Sequence, residues 1–464
     1  MQKQNSDHPG QVMKTKAAPR FELGIKDLQS SALPLGHAAA RSRTAPLADR
    51  ISETAPALLV ISNGHGEDLI ALKIIEALHR LQPSWKLKVL PLVGQGSCFE
   101  AAVERGWVQK IGPGAGLPSG GFSNQSLRAL LSDLMAGLPW LTWRQWVCLR
   151  RESRTSAAIL AVGDLLPLLM AWSTRRRFGF IGTPKSDYTW SSGPGQALSD
   201  RYHALKGSEW DPWEWHLMKR RSCRLVAMRD RLTARGLRRH GVKATSPGNP
   251  MMDGLRQSQP PASLERCRRV LLLCGSRMPE ALTNFRRLIQ GLMQMPSPVP
   301  LAVLAALGSD PHQGELDQLL RRLGFRSCAP PSTSLEAAEC WVRGPVLLLI
   351  GPGRFQQWAA WAEAGVATAG TATEQMVGLG IPALSLPGRG PQFTRGFADR
   401  QSRLLGGAVR TCASEQELGQ RLAQLLKDPL LRQEMGRMGR QRMGPSGGSD
   451  AIARAVISQL APER

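Results

Sequence analysis

The chain has 464 residues and carries 60 Lys and Arg against 36 Asp and Glu, which gives a formal charge of +24. This length is too great for one ordinary core, so two domains of roughly 200 residues each are expected. The charge favours polyanionic partners, namely nucleic acid, anionic lipid headgroups or phosphorylated substrates, although a basic surface without such a partner is the alternative. The 8 cysteines stand singly without a CxxC pair, which argues against a zinc site or disulfide scaffold.

The first segment in chain order, residues 1–55, is polar, basic and rich in Ser, Ala and Pro, and it predicts a disordered tail. It lacks a charged-then-apolar signal pattern. No uninterrupted apolar window approaches the length of about 18 residues that a spanning helix needs. We therefore expect a cytoplasmic protein that can lie peripherally on the inner face of the membrane.

The pattern changes at Ala57, where apolar runs begin to alternate with turns and with helical periodicity. A strand at 57–62, a glycine turn at 63–68 and a helix at 69–81 make a Rossmann-like opening. Further strands are predicted at 86–93, 156–164, 177–183, 224–230, 268–276, 299–307, 342–351, 365–370 and 381–388, with a last helix at 451–460.

A Pro-, Gly- and Ser-rich stretch at 249–265 separates the strands into two series. The sequence therefore predicts an α/β protein with two Rossmann-like domains that face a cleft. The predicted boundaries are a tail at 1–55, an N-terminal acceptor and membrane domain at 56–255, a C-terminal nucleotide-sugar domain at 256–446, and a helix at 447–464 that packs back on the first domain.

The first glycine turn joins the first strand to the first helix. Gly64 and Gly66 leave room for a ligand, and the amides at the helix start favour an anionic group. His65 is a candidate general base or partner of a substrate hydroxyl. A tight turn capped by Asp68 is the competing interpretation.

The second turn ends the first strand of the C-terminal series. It contains Gly275, Ser276 and Arg277, followed by Glu280. Ligands of open α/β sheets bind at strand carboxyl ends, and a guanidinium suits a diphosphate. A solvated arginine is the alternative.

The third turn places small residues before hydroxyl and amide side chains at a helix start, which suits a phosphate over the helix N-terminus and a polar group on a ribose hydroxyl. Gln392 and Gln401 follow in a glycine-containing loop and the next helix, and could bind sugar hydroxyls. The residues of the turn are Gly370, Thr371, Ala372, Thr373, Glu374 and Gln375.

Asp164 ends the strand at 156–164 beside an apolar segment. A carboxylate at a strand end is well placed to be a general base. Its use as the N-cap of the next helix is the alternative. The sequence carries no DxD-type metal motif, and we expect neither a metal nor a cofactor.

From about residue 57 to 460 the chain resembles the lipid-A-disaccharide synthases. The resemblance is carried by AVGD at 161–164, by a segment at 225–255 with Gly248-Asn249-Pro250 and Asp253, by G-S-R-x-x-E at 275–280, and by the turn and strand at 369–386. Gln375 aligns with a Glu of that family, and the turn at 63–68 lacks the G-E-x-S-G-D pattern.

The resemblance implies a GT-B fold and a glycosyltransferase that inverts at the sugar without a metal. It also implies a nucleotide-sugar donor, such as UDP-2,3-diacylglucosamine or a UDP-GlcNAc-like sugar, and a lipid-linked acceptor. Asp164, with His65, would deprotonate the acceptor, and the second and third turns would hold the diphosphate and ribose.

Tryptophans are concentrated in two segments, at 127–151 and 208–221, and each segment also carries a basic cluster. This composition is typical of a helix at an anionic membrane surface. A helix whose tryptophans fill the core of the N-terminal domain is the alternative.

Two other functions compete with the transferase. A UDP-sugar 2-epimerase shares the two-domain architecture, but it would need further acid/base carboxylates near the cleft. A basic nucleic-acid-binding protein would account for the charge. We expect no nucleic-acid partner, because basic residues interleaved with stacking aromatics on a recognisable module are missing.

Overall fold

A computed structural model describes most of the chain outside the N-terminal tail, and the predicted tail at 1–55 lies outside the residues it describes. Part of the tryptophan-rich segment at 127–151 lies outside them as well. The described residues are 56–114, 135, 137–193, 195, 197–256, 258–296, 300–308, 310–388 and 393–461.

The N-terminal half contains a seven-stranded sheet in the order β3-β2-β1-β4-β5-β6-β7, in which all neighbours are parallel. Its central strands are buried along their whole length, because a parallel sheet with helices on both faces selects continuous apolar runs. The strands are β1 (Ala57–Ser62), β2 (Lys86–Pro91), β3 (Val108–Lys110), β4 (Ala158–Gly163), β5 (Phe178–Gly182), β6 (Cys223–Met228) and β7 (Ala244–Thr245).

The helices of this half alternate with its strands. The first begins earlier than predicted, because Asp68 does not cap it but accepts a hydrogen bond from Ser62 Oγ at 2.5 Å. The helices are α1 (His65–Leu81), α2 (Glu100–Glu104), α3 (Leu138–Glu152), α4 (Leu165–Ser173), α5 (Tyr188–Ser191), α6 (Leu198–Lys206), α7 (Pro212–Met218) and α8 (Arg231–Arg239).

The C-terminal half contains an eight-stranded sheet in the order β10-β11-β12-β9-β8-β13-β14-β15. One prediction was wrong: the single strand at 342–351 is two antiparallel strands, which turn at Gly344, a residue with φ +56°. The strands are β8 (Arg268–Leu273), β9 (Leu301–Leu307), β10 (Arg326–Ser327), β11 (Glu339–Arg343), β12 (Val346–Pro352), β13 (Ala364–Ala367), β14 (Ala383–Ser385) and β15 (Val409–Thr411).

The remaining helices cover both faces of the second sheet, and the last of them leaves it. Short 3₁₀ turns occupy Ser97–Phe99, Pro250–Met252, Ala262–Leu264 and Thr333–Leu335. The helices are α9 (Glu280–Met293), α10 (Gln313–Arg322), α11 (Phe355–Trp361), α12 (Thr371–Gly378), α13 (Arg395–Leu404), α14 (Glu415–Lys427), α15 (Pro429–Met443) and α16 (Gly448–Leu460).

The last helix, α16, packs on the N-terminal half. Leu460 is fully buried at the strand β5, where a Cβ built on Gly179 would lie 3.0 Å from Leu460 Cδ1. Arg80 of α1 donates to Asp450 of α16 at 2.5 Å. One buried apolar cluster continues from α1 through Met251 to α16 and the inner face of the second sheet. The predicted fold class, two Rossmann-like domains with a returning C-terminal helix, is therefore confirmed.

Candidate active site in the interdomain cleft

Each sheet has one point where its strand order reverses, and the predicted turns lie at these two points. In the first sheet the reversal falls between β1 and β4, whose following residues are Asn63 and Asp164. In the second it falls between β8 and β13, which lead into the turns at 274–280 and 368–371. Ligands of open α/β sheets bind at such reversals, because the flanking loops diverge and leave a crevice.

At the first reversal, Asp164 makes two hydrogen bonds within its own domain. Its Oδ1 accepts from Asn63 Nδ2 at 2.6 Å and from the backbone N–H of Leu166 at 3.1 Å, so Asp164 is the N-cap of α4. The alternative interpretation, in which Asp164 caps the next helix, is therefore confirmed. Its role as a base stays a prediction, as does that of His65, whose side chain is not among those described.

At the second reversal, Gly275 adopts φ +88°, a conformation that favours glycine. The backbone N–H of Thr368 donates to Leu273 O at 2.8 Å and so ties the turn after β13 to the end of β8. Ser276 is exposed, whereas Arg277 and Glu280 are half-buried. Burial lowers the pKa of Arg277, and the nearby Glu280 carboxylate opposes that shift.

These residues line a small cavity together with Asn284, Gly388 and Phe393. Asn284 Nδ2 donates to Cys274 O at 3.3 Å. Its Oδ1 is buried and has no partner among the residues that the structure describes. Gln392, predicted to bind the sugar, lies outside the described residues. The cavity therefore offers one guanidinium and one open amide acceptor.

Two buried side chains donate hydrogen bonds to the backbone of the turn before α12. Thr373 Oγ1 donates to Ala369 O at 2.7 Å, and Gln401 Nε2 donates to Gly370 O at 3.1 Å. Both side chains thus hold the backbone of the turn. Thr371 and Ala372 are half-buried at the start of α12.

The two halves meet at these turns. A Cβ built on Gly66 would lie only 3.2 Å from Thr371 Oγ1, so the first turn of the N-terminal domain faces the start of α12 in the C-terminal domain. Gln375 Nε2 donates to Met251 O at 2.8 Å beside this contact. The strand-end turns of both domains therefore open onto one cleft.

Glu374 contacts a residue that the sequence did not single out. Its Oε2 lies 2.7 Å from Nη2 of Arg229, which follows β6 and also donates to Thr183 O at 3.3 Å. Only 7% of the Arg229 side chain and 14% of the Glu374 side chain are exposed. This ion pair joins the two domains at the cleft, and Glu374 is therefore already paired.

Glu67 is a second residue that the sequence missed. Burial raises its pKa to about 7, and the carboxylates of Asp164, Asp68 and Glu374 add to the shift. Glu67 is half-buried by accessible surface, whereas Asp68 is fully buried, and burial raises the pKa of Asp68 to about 6. A signal was present, since Glu67 lies inside the glycine turn, but a carboxyl's pKa depends on neighbours that the sequence does not identify.

The segment with Gly248-Asn249-Pro250 and Asp253 holds the returning helix. Asp253 accepts hydrogen bonds from the backbone N–H groups of Gly448 at 3.2 Å and Ser449 at 2.7 Å. Asn249 Nδ2 donates to Met443 O at 3.1 Å. This part of the resemblance therefore reflects how the segment at 248–253, called the hinge below, holds α16.

The two tryptophan segments differ. Trp210 is fully buried against Phe180, so the lipid-facing interpretation of 208–221 is wrong for this residue. Trp215 is half-buried and stacks on His240 with ring centroids 3.7 Å apart, whereas Trp213 is 54% exposed. On α3, Trp140 is 66% and Trp143 54% exposed.

Within the described ranges, we find no cluster of His, Cys, Asp and Glu with the arrangement of a metal site. The same ranges contain no helix with the length and apolar composition needed to span a bilayer.

No family model matches the sequence, and no curated protein matches it either. The fold is similar to that of MurG from Acinetobacter baumannii, at 12% identity over 87% of this chain and 100% of that one, with a TM-score of 0.51. It is also similar to the calicheamicin glycosyltransferase CalG4, at 14% identity over 88% and 100%, with a TM-score of 0.55.

A UDP-GlcNAc 2-epimerase from Neisseria meningitidis, bound to UDP-GlcNAc, is similar at 14% identity over 87% of this chain and 100% of the epimerase, with a TM-score of 0.51. Both transferases and epimerases thus share this architecture. The chain has the GT-B fold, with two Rossmann-like domains and a cleft between their strand ends.

Proposed function

We propose that the protein is a glycosyltransferase that moves a sugar from a UDP-sugar donor to a lipid-linked acceptor. The donor is UDP-2,3-diacylglucosamine or a UDP-GlcNAc-like sugar, and the reaction inverts the anomeric centre without a metal. The observation that carries the proposal is the approach of Gly66 to Thr371, which brings the strand-end turns of both domains to one cleft. The resemblance at 275–280 and 369–386 supports the choice of donor.

The donor's diphosphate would lie between Arg277 and the start of α12. Backbone N–H groups at a helix N-terminus and a guanidinium both stabilise the negative charge that develops on a leaving diphosphate. Glu374 would bind a ribose diol only by leaving Arg229. We therefore assign the phosphates of the donor to Thr371 and its neighbouring backbone amides. We assign the uracil ring to the cavity in which Asn284 Oδ1 is an open acceptor.

The first test is a thermal-shift panel of UDP, UDP-GlcNAc, GDP-sugars and dTDP-sugars. Stabilisation by the uridine nucleotides alone is expected. Absence of stabilisation by any nucleotide at millimolar concentration would contradict the proposal.

Replacing Arg277 by alanine is expected to weaken UDP binding about 30-fold, because a hydrogen bond to a charged group contributes about 2 kcal/mol. Isothermal titration with UDP measures the effect. Arg286→Ala is the matched control, since Arg286 is an exposed arginine of α9 and should bind UDP like the wild type. Equal affinities of the two variants would remove Arg277 from the donor site.

The lipid-linked acceptor would be reached from an anionic membrane surface through α3 and α4. Trp140, Trp143 and Val147 are exposed at helical spacing on α3, next to exposed Trp172 on α4. Arg150 Nη1 donates to Ser173 O at 3.3 Å and links the two helices. Exposed arginines lie on α3 and directly after α3 and α4, at Arg144, Arg150, Arg151, Arg154, Arg175 and Arg176. Apolar side chains together with exposed cations suit peripheral binding to the cytoplasmic leaflet.

The double variant Trp140→Ser/Trp143→Ser is expected to lower the partition coefficient onto phosphatidylglycerol vesicles at least about tenfold, because it removes most of the apolar contact. Co-sedimentation measures the bound fraction. Trp213→Ser is the control, since Trp213 on α7 is also 54% exposed. Equal losses in both variants, or no binding by the wild type, would contradict this docking face.

A UDP-sugar 2-epimerase is the second candidate, because one observation favours it. The carboxylates of Asp164 and Glu374 both interact electrostatically with Glu67 at the cleft, and an epimerase needs such acid/base groups. Conversion of UDP-GlcNAc to UDP-ManNAc without any acceptor would replace the transferase assignment.

A further inference from the structure

We propose that Glu67, rather than Asp164, takes the proton from the acceptor hydroxyl. This inference rests on the proposed transferase function and assigns its base. It starts from the position of Glu67 in the first turn of α1, directly after Gly66, whose backbone faces Thr371 of the other domain. Glu67 is thus held at the junction of the two domains, where donor and acceptor would meet.

Thr183 and the glycine turn lie next to the Glu67 carboxylate. Thr183 Oγ1 lies 3.5 Å from Glu67 Oε1. A Cβ built on Gly64 would lie 3.0 Å from Glu67 Oε2, and Gly64 has φ +149°, so a side chain at that position would crowd the carboxylate. The two glycines of the turn therefore leave space for Glu67 on one side and for Thr371 on the other.

The charged groups around Glu67 come from both domains. Asp68 lies on its own helix, Asp164 follows β4, and Glu374 lies on α12, while Arg229 is the nearby cation. Burial and the three carboxylates raise the pKa of Glu67 to about 7. A base with a pKa near the working pH combines a useful ionised fraction with a strong affinity for the proton.

Asp164 is less suited to this step. Its Oδ1 already accepts two hydrogen bonds, from Asn63 and from the backbone of Leu166. Asp164 is thus already engaged as the N-cap of α4. We assign Asp164 a positioning role, in which its negative charge helps to keep Glu67 basic and its hydrogen bond fixes Asn63 at the edge of the cleft.

The acceptor oxygen attacks the anomeric carbon and forms the glycosidic bond, while its proton moves to the Glu67 carboxylate. The bond between the anomeric carbon and the diphosphate oxygen breaks, and that oxygen leaves with the electron pair as UDP. No redox partner is involved, and solvent removes the proton from Glu67 before the next turnover.

The test compares Glu67→Gln with Glu76→Gln, a matched change at an exposed position of the same helix. UDP release is measured from UDP-2,3-diacylglucosamine, with phosphatidylglycerol vesicles that carry a diacylated glucosamine 1-phosphate as acceptor. Glu67→Gln should lose about 100-fold or more in kcat/KM and keep its thermal shift with UDP, whereas Glu76→Gln should match the wild type.

The pH dependence gives a separate prediction. Since the base must be ionised, wild-type kcat/KM should rise with pH through about 7, and this rise should be absent from Glu67→Gln.

A second measurement needs no substrate. In protein labelled with ¹³C at glutamate carboxyl groups, the resonance that Glu67→Gln removes should titrate near pH 7. A midpoint near the ordinary value of about 4.3 would overturn the proposal. So would more than a tenth of wild-type turnover in Glu67→Gln, or a Glu67→Gln variant that works while Asp164→Asn does not. Failure of the wild type to bind any nucleotide would instead refute the proposed function itself.

Discussion

Replacing Arg229 by methionine is expected to lower the free energy of unfolding by about 3 to 5 kcal/mol at pH 8, because breaking a buried ion pair leaves an uncompensated charge. Arg229 pairs with Glu374 at 2.7 Å, and burial leaves only 7% of its side chain exposed. Glu374 in turn interacts with Glu67, so loss of the guanidinium leaves adjacent carboxylates without their cation. The pair joins β6 to α12, and the variant should also loosen the contact between the domains.

Urea unfolding, followed by tryptophan fluorescence, measures the loss. Arg80→Met is the control: Arg80 pairs with Asp450 at 2.5 Å, but 66% and 43% of their side chains are exposed, and such a pair contributes less than about 1 kcal/mol. The double variant Arg229→Met/Glu374→Met should recover most of the loss, because it removes both charges. This role of the ion pair would be contradicted if Arg229→Met lost no more stability than Arg80→Met, or if the double variant unfolded at no higher urea concentration than Arg229→Met.

The sequence was sufficient to predict the central strands of both sheets and the turns that follow them, but not the short edge strands β3, β7, β10 and β15. Strands such as 57–62 and 268–273 are continuous apolar runs, because each is covered by helices on both faces. The strand order of the folded chain then places the turns after β1, β4, β8 and β13 at the two order reversals. The hairpin at Gly344 was missed, although Gly344 and Pro345 are turn residues, because the range 342–351 was taken as one strand on the strength of the apolar run that follows Pro345.

The contacts between the domains could not be predicted in this way. Arg229 and Glu374 lie 145 positions apart, and nothing in either local pattern indicates that the two side chains meet. Glu67 was within the turn that the sequence singled out, yet its raised pKa depends on Asp164 and Glu374, which only the folded chain brings near. Periodicity identifies buried faces, but it does not specify which polar groups face each other across a cleft.

The exposure of the tryptophans could not be predicted from local sequence either. Trp140 and Trp210 occur in similar segments, each rich in tryptophan and followed by basic residues. The structure exposes 66% of the first and none of the second. Whether a tryptophan-rich helix faces solvent or the core depends on the helix that packs beside it, and the composition of the segment does not reveal that neighbour.

Replacing Gly448 by alanine is expected to destabilise the protein by about 3 kcal/mol, near the upper end of the usual range for inserting a group into a packed site. A Cβ on Gly448 would lie 2.7 Å from backbone atoms of Gly248 and Asn249. Backbone cannot move aside as the end of a side chain can. The start of α16 would therefore have to withdraw from the hinge, which would also lengthen the hydrogen bonds of Asp253 to Gly448 and Ser449.

Helix propensity and the close contact predict opposite changes in the stability of Gly448→Ala. Alanine is a better helix former than glycine by up to about 1 kcal/mol, so helix propensity alone predicts that Gly448→Ala stabilises α16. Gly314→Ala is the matched control, because Gly314 lies near the start of α10 and its Cβ would meet nothing within 4 Å. Urea unfolding should therefore show loss of stability in Gly448→Ala and none in Gly314→Ala, with faster proteolysis of the C-terminal helix only in the former. If the two variants are equally stable, the close contact of Gly448 with the hinge does not fix the position of the returning helix.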